Sequence, residues 1–135
     1  MKIRRVTLTI ISIALTLALL SCRGPSVTTA VPTLAIPKLS ENPPDIRGTI
    51  AEIYTQNTNI GGLFVEGKKE VDTSYDKAHV GITKDTRVFI KEGGTYVTTT
   101  VADLKLGQIV EVLFADPILT SDPVQANAAE VVILQ

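Results

Sequence analysis

Residues 100–114 read TVADLKLGQIVEVLF, a stretch in which the periodicity of the sequence changes. Thr100 and Asp103 have the spacing of a capping box, in which a hydroxyl and an acidic side chain three residues later satisfy free backbone amides at the start of a helix. Gly107 has the position of a C-terminal stop. The sequence therefore predicts a short helix of about two turns near residues 101–106.

Strands are predicted on both sides of this helix, because apolar and polar side chains alternate with a period of two. One short helix between the third and fourth of five strands is typical of the OB-fold, where it closes one end of the barrel. We therefore predict an all-β domain, a small five-stranded OB-fold-like barrel over residues 46–135, with Leu104 buried. A plain antiparallel sandwich is the alternative, although it does not need the helix. The predicted strands are residues 47–56, 63–66, 77–82 and 86–91 (two pieces of one strand), 108–114 and 126–134, with turns at 57–62 and 92–94 and a loop between Asp116-Pro117 and Asp122-Pro123.

The N-terminus has the three parts of a secretory signal peptide, predicted over residues 1–21. Met1–Arg5 is basic, and Val6–Leu20 is an apolar run of fifteen residues. Such a run is shorter than the about 20 residues that a membrane span needs. Leu19-Leu20-Ser21-Cys22 follows and resembles the bacterial lipobox, in which the cysteine thiol receives a diacylglyceryl group and cleavage occurs just before it.

Cys22 is the only cysteine of the chain, and we predict that it is the lipidation site. A thiolate is a better nucleophile than a hydroxyl, and each buried methylene of an acyl chain adds about 0.8 kcal/mol to anchoring. A buried inert thiol, or ordinary cleavage near Thr28–Ala30, is the alternative. The expected partner is membrane lipid, and the expected location is the extracytoplasmic side of a membrane in a bacterial cell envelope.

Residues 22–45 are predicted to form a lipidated, flexible tether. Five of the seven prolines of the chain fall in this segment, and proline lacks an amide donor and blocks helices and central strands. Such a composition favours an extended chain of about 3.1 Å per residue. The alternative is that part of the segment docks on the domain through apolar side chains such as Val31, Leu34 and Ile36.

The charge of the chain argues against a nucleic-acid partner. The full chain has 13 basic and 14 acidic residues, a net charge of −1. Lys2, Arg4 and Arg5 lie in the leader, so the remaining chain has 10 basic and 14 acidic side chains and a net charge of −4. Nucleic acids select a basic face. One cysteine also allows no disulfide within the chain, so the core alone must hold the fold.

Four segments of the domain occur in the same order in a known group of bacterial proteins. They resemble the YobA-like family of small lipoproteins and exported proteins. The resemblance covers essentially all of residues 46–134 and implies an OB-like barrel and export. It implies no established activity, so no catalytic residue follows from it. The segments are VEG at 65–67, YDKAHVGITKDTRVF at 75–89, ADLKLGQIVEVLF at 102–114 and DPVQANAAEVVIL at 122–134.

Few residues are candidates for catalysis or metal binding. His79 is the only histidine, and strand alternation places it on the outer face, where a solvated or structural role is expected. Asp72, Ser74 and Asp76 have the spacing that opens a calcium loop, but an EF-hand needs a glycine at the sixth position, where Lys77 stands. We predict no catalytic residue, no cofactor and no metal site. Nothing in their spacing selects a glycosidase pair among Glu52, Glu66, Glu70 and Glu111.

Phe64, Phe89 and Leu113 form a candidate partner-binding patch. Strand alternation points all three away from the apolar face of their strands, toward the outer wall of the barrel. An exposed apolar group of this kind is typical of a docking site for a peptide, a glycan or a second protein. The alternative is that the proline-rich tether or the loop at residues 68–75 covers it, or that a bulge shifts the alternation.

Two classes of function remain open from the sequence. The first is a non-catalytic binding module tethered outside the cytoplasmic membrane, with an envelope protein or cell-wall ligand as its partner. The second is an enzyme, or an accessory subunit of one, that acts on envelope material through carboxylates. The sequence shows no arrangement of Ser, Cys and His residues for nucleophilic catalysis, which favours the first class.

Overall fold

The computed structural model describes residues 38–135, and this part of the chain is almost entirely β. The strong alternation of apolar side chains noted above explains why these residues form strands. The one helical element in the described range is a 3₁₀ turn of three residues, Val101–Asp103. The strands are β1 (Ile46–Gln56), β2 (Asn59–Gly67), β3 (Lys77–Gly81), β4 (Arg87–Glu92), β5 (Thr95–Thr99), β6 (Ile109–Leu119) and β7 (Val124–Leu134).

Five of these strands close into a ring, in the order β1, β2, β3, β7, β6 and back to β1. The pairing of β3 with β7 is parallel, and the other four pairings of the ring are antiparallel. This is the five-stranded, OB-like barrel that the sequence predicts. The remaining two strands form a hairpin, in which β4 pairs with β7 and β5 pairs with β4.

The predicted third strand does consist of two pieces. Both β3 and β4 run parallel to β7, the first from Ala78 opposite Val124 and the second from Arg87 opposite Glu130. The hairpin turn after β4 was also predicted, and Gly93 there has a φ of 55°. The sequence did not predict β5, since its threonine-rich side chains are mostly exposed and show no apolar alternation.

Three element boundaries differ from the prediction. The turn between β1 and β2 is confined to Asn57 and Thr58, whose φ angles are 49° and 72°. Gly61 and Gly62, predicted in that turn, lie inside β2. At the other end, β6 continues past its predicted end at Phe114, so the loop before β7 is shorter than expected.

The interior of the barrel is filled by apolar side chains from every strand of the ring. Leu104, predicted to be buried, is 3% exposed and belongs to this core. The helix before it is shorter than the two turns predicted, but its capping box is present, and Thr100 N–H donates to the Asp103 carboxylate at 3.3 Å. The core residues are Ile46, Ile50, Leu63, Val65, Ala78, Val80, Val88, Leu104, Val110, Val112, Phe114, Val124, Ala126, Ala128, Val131 and Ile133.

Two glycines allow β1 and β2 to approach closely where β1 also pairs with β6. Gly48 lies opposite Gly67 of β2 and opposite Val110 of β6. A Cβ atom on Gly67 would lie 1.9 Å from the carbonyl oxygen of Arg47, and one on Gly48 would lie 2.4 Å from that of Glu66. Side chains at these two positions are therefore incompatible with the observed strand spacing.

Candidate ligand-binding groove

A groove of about 450 Å³ lies on the outer face of β2 and β3, beside the ends of β6 and β7. We call it the β2–β3 groove. In OB-folds the face of the second and third strands, with the loops that flank it, is the usual ligand surface. Its lining residues are Tyr54, Gly61, Gly62, Leu63, His79, Val80, Gly81, Pro117, Leu119, Gln125, Ala126 and Asn127.

Glycines make this groove a depression. Gly62 of β2 lies opposite Gly81 of β3, so no side chain projects from either position. A Cβ atom on Gly81 would lie 2.3 Å from the Oδ1 atom of Asn127. Glycine inside a strand often marks a site that another group approaches closely, and here the approaching groups are the Asn127 side chain over Gly81 and the Tyr54 ring over Gly62, which is buried.

Two of the side chains that line the groove, Tyr54 and His79, carry rings, and the ring of Phe64 lies next to His79. The ring of His79 lies 4.7 Å from that of Phe64 and 5.8 Å from that of Tyr54, measured between centroids. The Tyr54 hydroxyl donates to the carboxylate of Glu52 at 2.7 Å, which raises the pKa of that hydroxyl above its ordinary value. This bond orients the Tyr54 ring beside the groove while leaving it 42% exposed.

A second depression of about 540 Å³ also has Gly61 among its lining residues. It lies between the β1–β2 turn and the segment that carries the 3₁₀ turn. Most of its polar side chains are amides and hydroxyls. Its lining residues are Gln56, Asn57, Thr58, Asn59, Ile60, Gly61, Ile82, Thr83, Lys84, Val101 and Ala102.

Comparison of the chain with protein-family models, with curated proteins and with solved structures gives no match. Function must therefore be argued from the geometry of the groove and its surroundings.

The structure does not bring the three residues of the predicted patch together. Phe64 is half-buried and packs on His79, which is a lining residue of the β2–β3 groove. Leu113 is half-buried on β6, and Phe89 lies on β4 with only 1% exposure. Phe89 points away from the barrel core, as the alternation predicts, but its burial means that these residues do not form one exposed patch.

The last part of the predicted tether packs on the barrel near Leu113. The backbone N–H of Ser40 donates to both carboxylate oxygens of Glu130, at 3.1 and 3.0 Å. Arg87 pairs with the same carboxylate and donates to the carbonyl oxygen of Lys38 at 3.1 Å. We call this contact the Ser40–Glu130 clip. Residues 38–45 of the predicted tether therefore dock on the barrel, whereas Val31, Leu34 and Ile36, which were considered above for docking, lie outside the described residues.

The loop at residues 68–76, considered above as a metal site, is held by an arginine. The guanidinium of Arg47 binds Asp72 through two bonds of 3.1 and 2.7 Å and also pairs with Glu70. On its other side it binds Glu111 at 2.8 Å. Arg47 lowers the pKa of Asp72. Within residues 38–135, no group of three or more His, Cys, Asp or Glu side chains is arranged to hold a metal ion.

Replacing Arg47 with methionine is expected to lower the free energy of unfolding by about 1–3 kcal/mol, because hydrogen bonds to three carboxylates are lost at once. Lys77→Met, which breaks an exposed pair with Glu66 at 3.5 Å, is the control and should cost less than about 1 kcal/mol. Urea titrations at pH 7 measure both. Equal losses of unfolding free energy in the two variants would show that the contacts of Arg47 stabilise the fold no more than an exposed ion pair does.

The same ion pairs predict a pH dependence. Arg47 depresses the folded-state pKa of Asp72. The ion pair therefore contributes fully to the free energy of unfolding above the unfolded-state pKa of about 3.9. That contribution is lost as the pH falls through the lower folded-state value. The stability difference between the wild type and the Arg47→Met variant should therefore narrow below about pH 4. A difference that is constant from pH 7 to pH 2 would contradict this assignment.

The predicted leader, the lipidation site Cys22 and residues 22–37 of the tether lie outside the described residues. In the part of the chain that the structure describes, no helix is long and apolar enough to cross a membrane.

Sequence reasoning missed most of the groove. Tyr54 lies on β1, whereas Gln125 and Asn127 lie on β7, and nothing in the local pattern of either strand relates it to the other. The available signal was the pair Gly61-Gly62, which fits a strand interior beside a binding surface as well as it fits a turn. His79 was correctly placed on the outer face, between the buried Ala78 and Val80.

Proposed function

We propose that this protein is a lipid-anchored, extracytoplasmic binding module that holds its ligand in the β2–β3 groove and carries out no chemistry of its own. The observation that carries the proposal is the position of the groove. It lies on the face that OB-folds use for ligands, and the exposed side chains of Tyr54, Leu119 and Asn127 line it. The basic, apolar and lipobox segments of the leader, together with the resemblance to exported YobA-like proteins, support the anchor and the location.

The side chains around the groove support binding rather than catalysis. His79 is the imidazole of the groove lining, and its polar neighbour is the Tyr54 hydroxyl, 3.4 Å from Nδ1. No serine or cysteine is among the lining residues that could pair with this imidazole as a nucleophile. The four carboxylates considered in the sequence each have a partner. Glu70 and Glu111 bind Arg47, Glu66 pairs with Lys77, and Glu52 accepts from Tyr54.

Replacing Cys22 with alanine tests the anchor. We expect the variant to lose its acyl group and to be released from the membrane fraction or to retain its leader, because no thiol is available for lipidation. Metabolic labelling with a radioactive fatty acid and fractionation of the cells measure both effects. Ser26→Ala, four residues further on, is the control and should behave as the wild type. Normal processing with unchanged membrane retention in the Cys22→Ala variant would exclude the acyl anchor.

Site-specific photocrosslinking in the native envelope tests the groove. A benzophenone amino acid at Leu119, a groove residue that is 58% exposed, is expected to trap the ligand. The same amino acid at Leu106, which is 63% exposed outside the groove, is the control and should give no specific adduct. Identical adduct patterns from the two positions, with both proteins folded, would count against the groove as the binding site.

A further inference from the structure

We infer that β5 is a dimerisation edge, at which two copies of this chain pair their β5 strands antiparallel to each other about a two-fold axis at Val97. This inference goes beyond the proposed function and depends neither on the β2–β3 groove nor on the acyl anchor. It draws on the open edge of β5, on the lack of protection along that edge and on the match between the strand and its own reversed copy.

The edge of β5 that faces away from β4 has no partner strand within residues 38–135. The hairpin of β4 and β5 is joined to the ring at β7, and β5 pairs only with β4. Glu92 lies opposite Thr95 across the two-residue turn, and the closing pair of such a hairpin is hydrogen-bonded. Because bonded and non-bonded pairs alternate along the strands, the backbone N–H and C=O groups of Tyr96 and Thr98 point outward.

This outward edge carries none of the usual barriers to pairing with another chain. Edge strands are commonly protected by a charged side chain, a proline, a bulge or a covering segment. The sequence of β5, TYVTT, contains no charge and no proline. Its register with β4 is continuous, and four of its five residues are exposed. Threonine, tyrosine and valine also favour the extended conformation, so β5 already has the backbone shape that a partner strand requires.

A second copy of β5 fits this edge residue by residue. In an antiparallel pair centred on Val97, each Tyr96 lies opposite Thr98 of the other copy, and both of these residues have outward backbone groups. Each such pair exchanges two backbone hydrogen bonds. The contact is isologous, because the same strand serves both copies, so it closes as a dimer and does not extend into a fibre.

The side chains on the two faces of the strand match in the same register. Val97 is 50% exposed and lies opposite the half-buried Ile90 of β4. In the dimer the two Val97 side chains form a non-hydrogen-bonded pair, in which facing side chains are closest, and they join both Ile90 side chains in an apolar row across four strands. On the other face, Tyr96 meets a threonine, and aromatic and β-branched side chains pair favourably across strands.

The match favours a second copy over an unrelated strand. An extended peptide of any sequence can form the same backbone hydrogen bonds at a sheet edge. The reversed copy adds a valine opposite Val97 and a threonine opposite Tyr96, and it places no like charges opposite each other, since β5 has none. With only five residues from each β5 strand, the contact is small, so we expect a reversible dimer.

A cysteine at the two-fold axis tests the pairing. The full-length Val97→Cys variant in detergent is oxidised with copper phenanthroline, and we expect at least tenfold more covalent dimer than from the wild type, because facing thiols of a non-hydrogen-bonded pair lie within reach of a disulfide. Thr95→Cys is the matched control on the same strand. The two Thr95 positions are four residues apart in this register, about 14 Å, so this variant should stay monomeric.

Opposite charges at the same position give an independent test. Val97→Lys and Val97→Glu each place two like charges opposite each other, which destabilises a strand pair. We expect each variant alone to dimerise at least tenfold more weakly than the wild type, and an equal mixture of the two to recover the dimer. Sedimentation velocity of the full-length proteins in detergent is the measurement, and thermal melts establish that both are folded. If either is unfolded, Thr98→Pro, which removes an outward amide of the edge, replaces the pair.

The outcomes decide the inference separately from the proposed function. Equal disulfide yields from Val97→Cys and Thr95→Cys would show random collision, for example of two chains in one micelle, and would overturn the pairing. A Val97→Lys and Val97→Glu mixture that stays as monomeric as its components would do the same. If oxidation in native membranes joins Val97→Cys to a different protein and not to its own copy, β5 binds another strand and the inference is wrong. None of these results alters the crosslinks expected from Leu119.

Discussion

Replacing Gly67 with alanine is expected to lower the free energy of unfolding by about 3 kcal/mol or more, although the position is exposed. The added Cβ atom would lie 1.9 Å from the carbonyl oxygen of Arg47 and 2.9 Å from the Cα atom of Gly48. Both are backbone atoms, so no side chain can rotate to relieve the overlap. The strands must separate at the place where β1 pairs with both β2 and β6. A loss of this size is a large part of the total free energy of unfolding of a typical domain, which is about 5–15 kcal/mol.

Gly93→Ala is the control for this prediction. Gly93 has a positive φ of 55°, but no atom lies within 4 Å of the site of its Cβ. Alanine there should therefore cost only the backbone term of about 1–2 kcal/mol. Urea denaturation followed by circular dichroism gives both values. A Gly67→Ala variant that is as stable as Gly93→Ala would mean that the two strands can move apart at little cost.

Replacing Leu104 with alanine is expected to cost about 2–5 kcal/mol, the usual range for a leucine deleted from a packed core. Leu104 follows the 3₁₀ turn, is 3% exposed and belongs to the barrel core. Its loss would leave a cavity in a barrel whose interior is otherwise filled by side chains. Thermal unfolding monitored by calorimetry is the measurement, with the melting temperature expected to fall by several degrees for each kcal/mol lost.

Leu106→Ala provides a matched comparison two residues away. Leu106 is 63% exposed, and a substitution at an exposed position is usually within about 0.5 kcal/mol of neutral. A large difference between the two leucines would establish that the segment after β5 seals the barrel through Leu104. A loss of less than about 0.5 kcal/mol in the Leu104→Ala variant would instead make this segment a surface loop.

The strands of the barrel were predictable because each carries its own alternation. Val110 and Val112, for example, point into the core with Glu111 between them, and this local pattern is independent of the partner strand. The short helix was predicted from the capping box at Thr100 and Asp103, although it forms a single 3₁₀ turn. By contrast, β5 has no apolar face, so the same reasoning found no signal there.

The contacts that define the surface were not predictable in the same way. Arg47 meets Asp72, and Ser40 meets Glu130, across 25 and 90 residues of sequence. No local pattern relates such partners, since the closure of the ring brings them together. The placement of Phe89 shows the same limit, because alternation gave the direction of its side chain correctly but not the burial of that side chain.

The Ser40–Glu130 clip determines how the domain would respond to mechanical force. Tension applied from the N-terminal side of the chain reaches Ser40 before it reaches β1. The clip passes this load to β7, which is paired with β3, β4 and β6 and is therefore the most extensively bonded strand of the barrel. Because the clip carries the load first, tension does not act directly on the N-terminal end of β1 and does not separate β1 from β2 and β6.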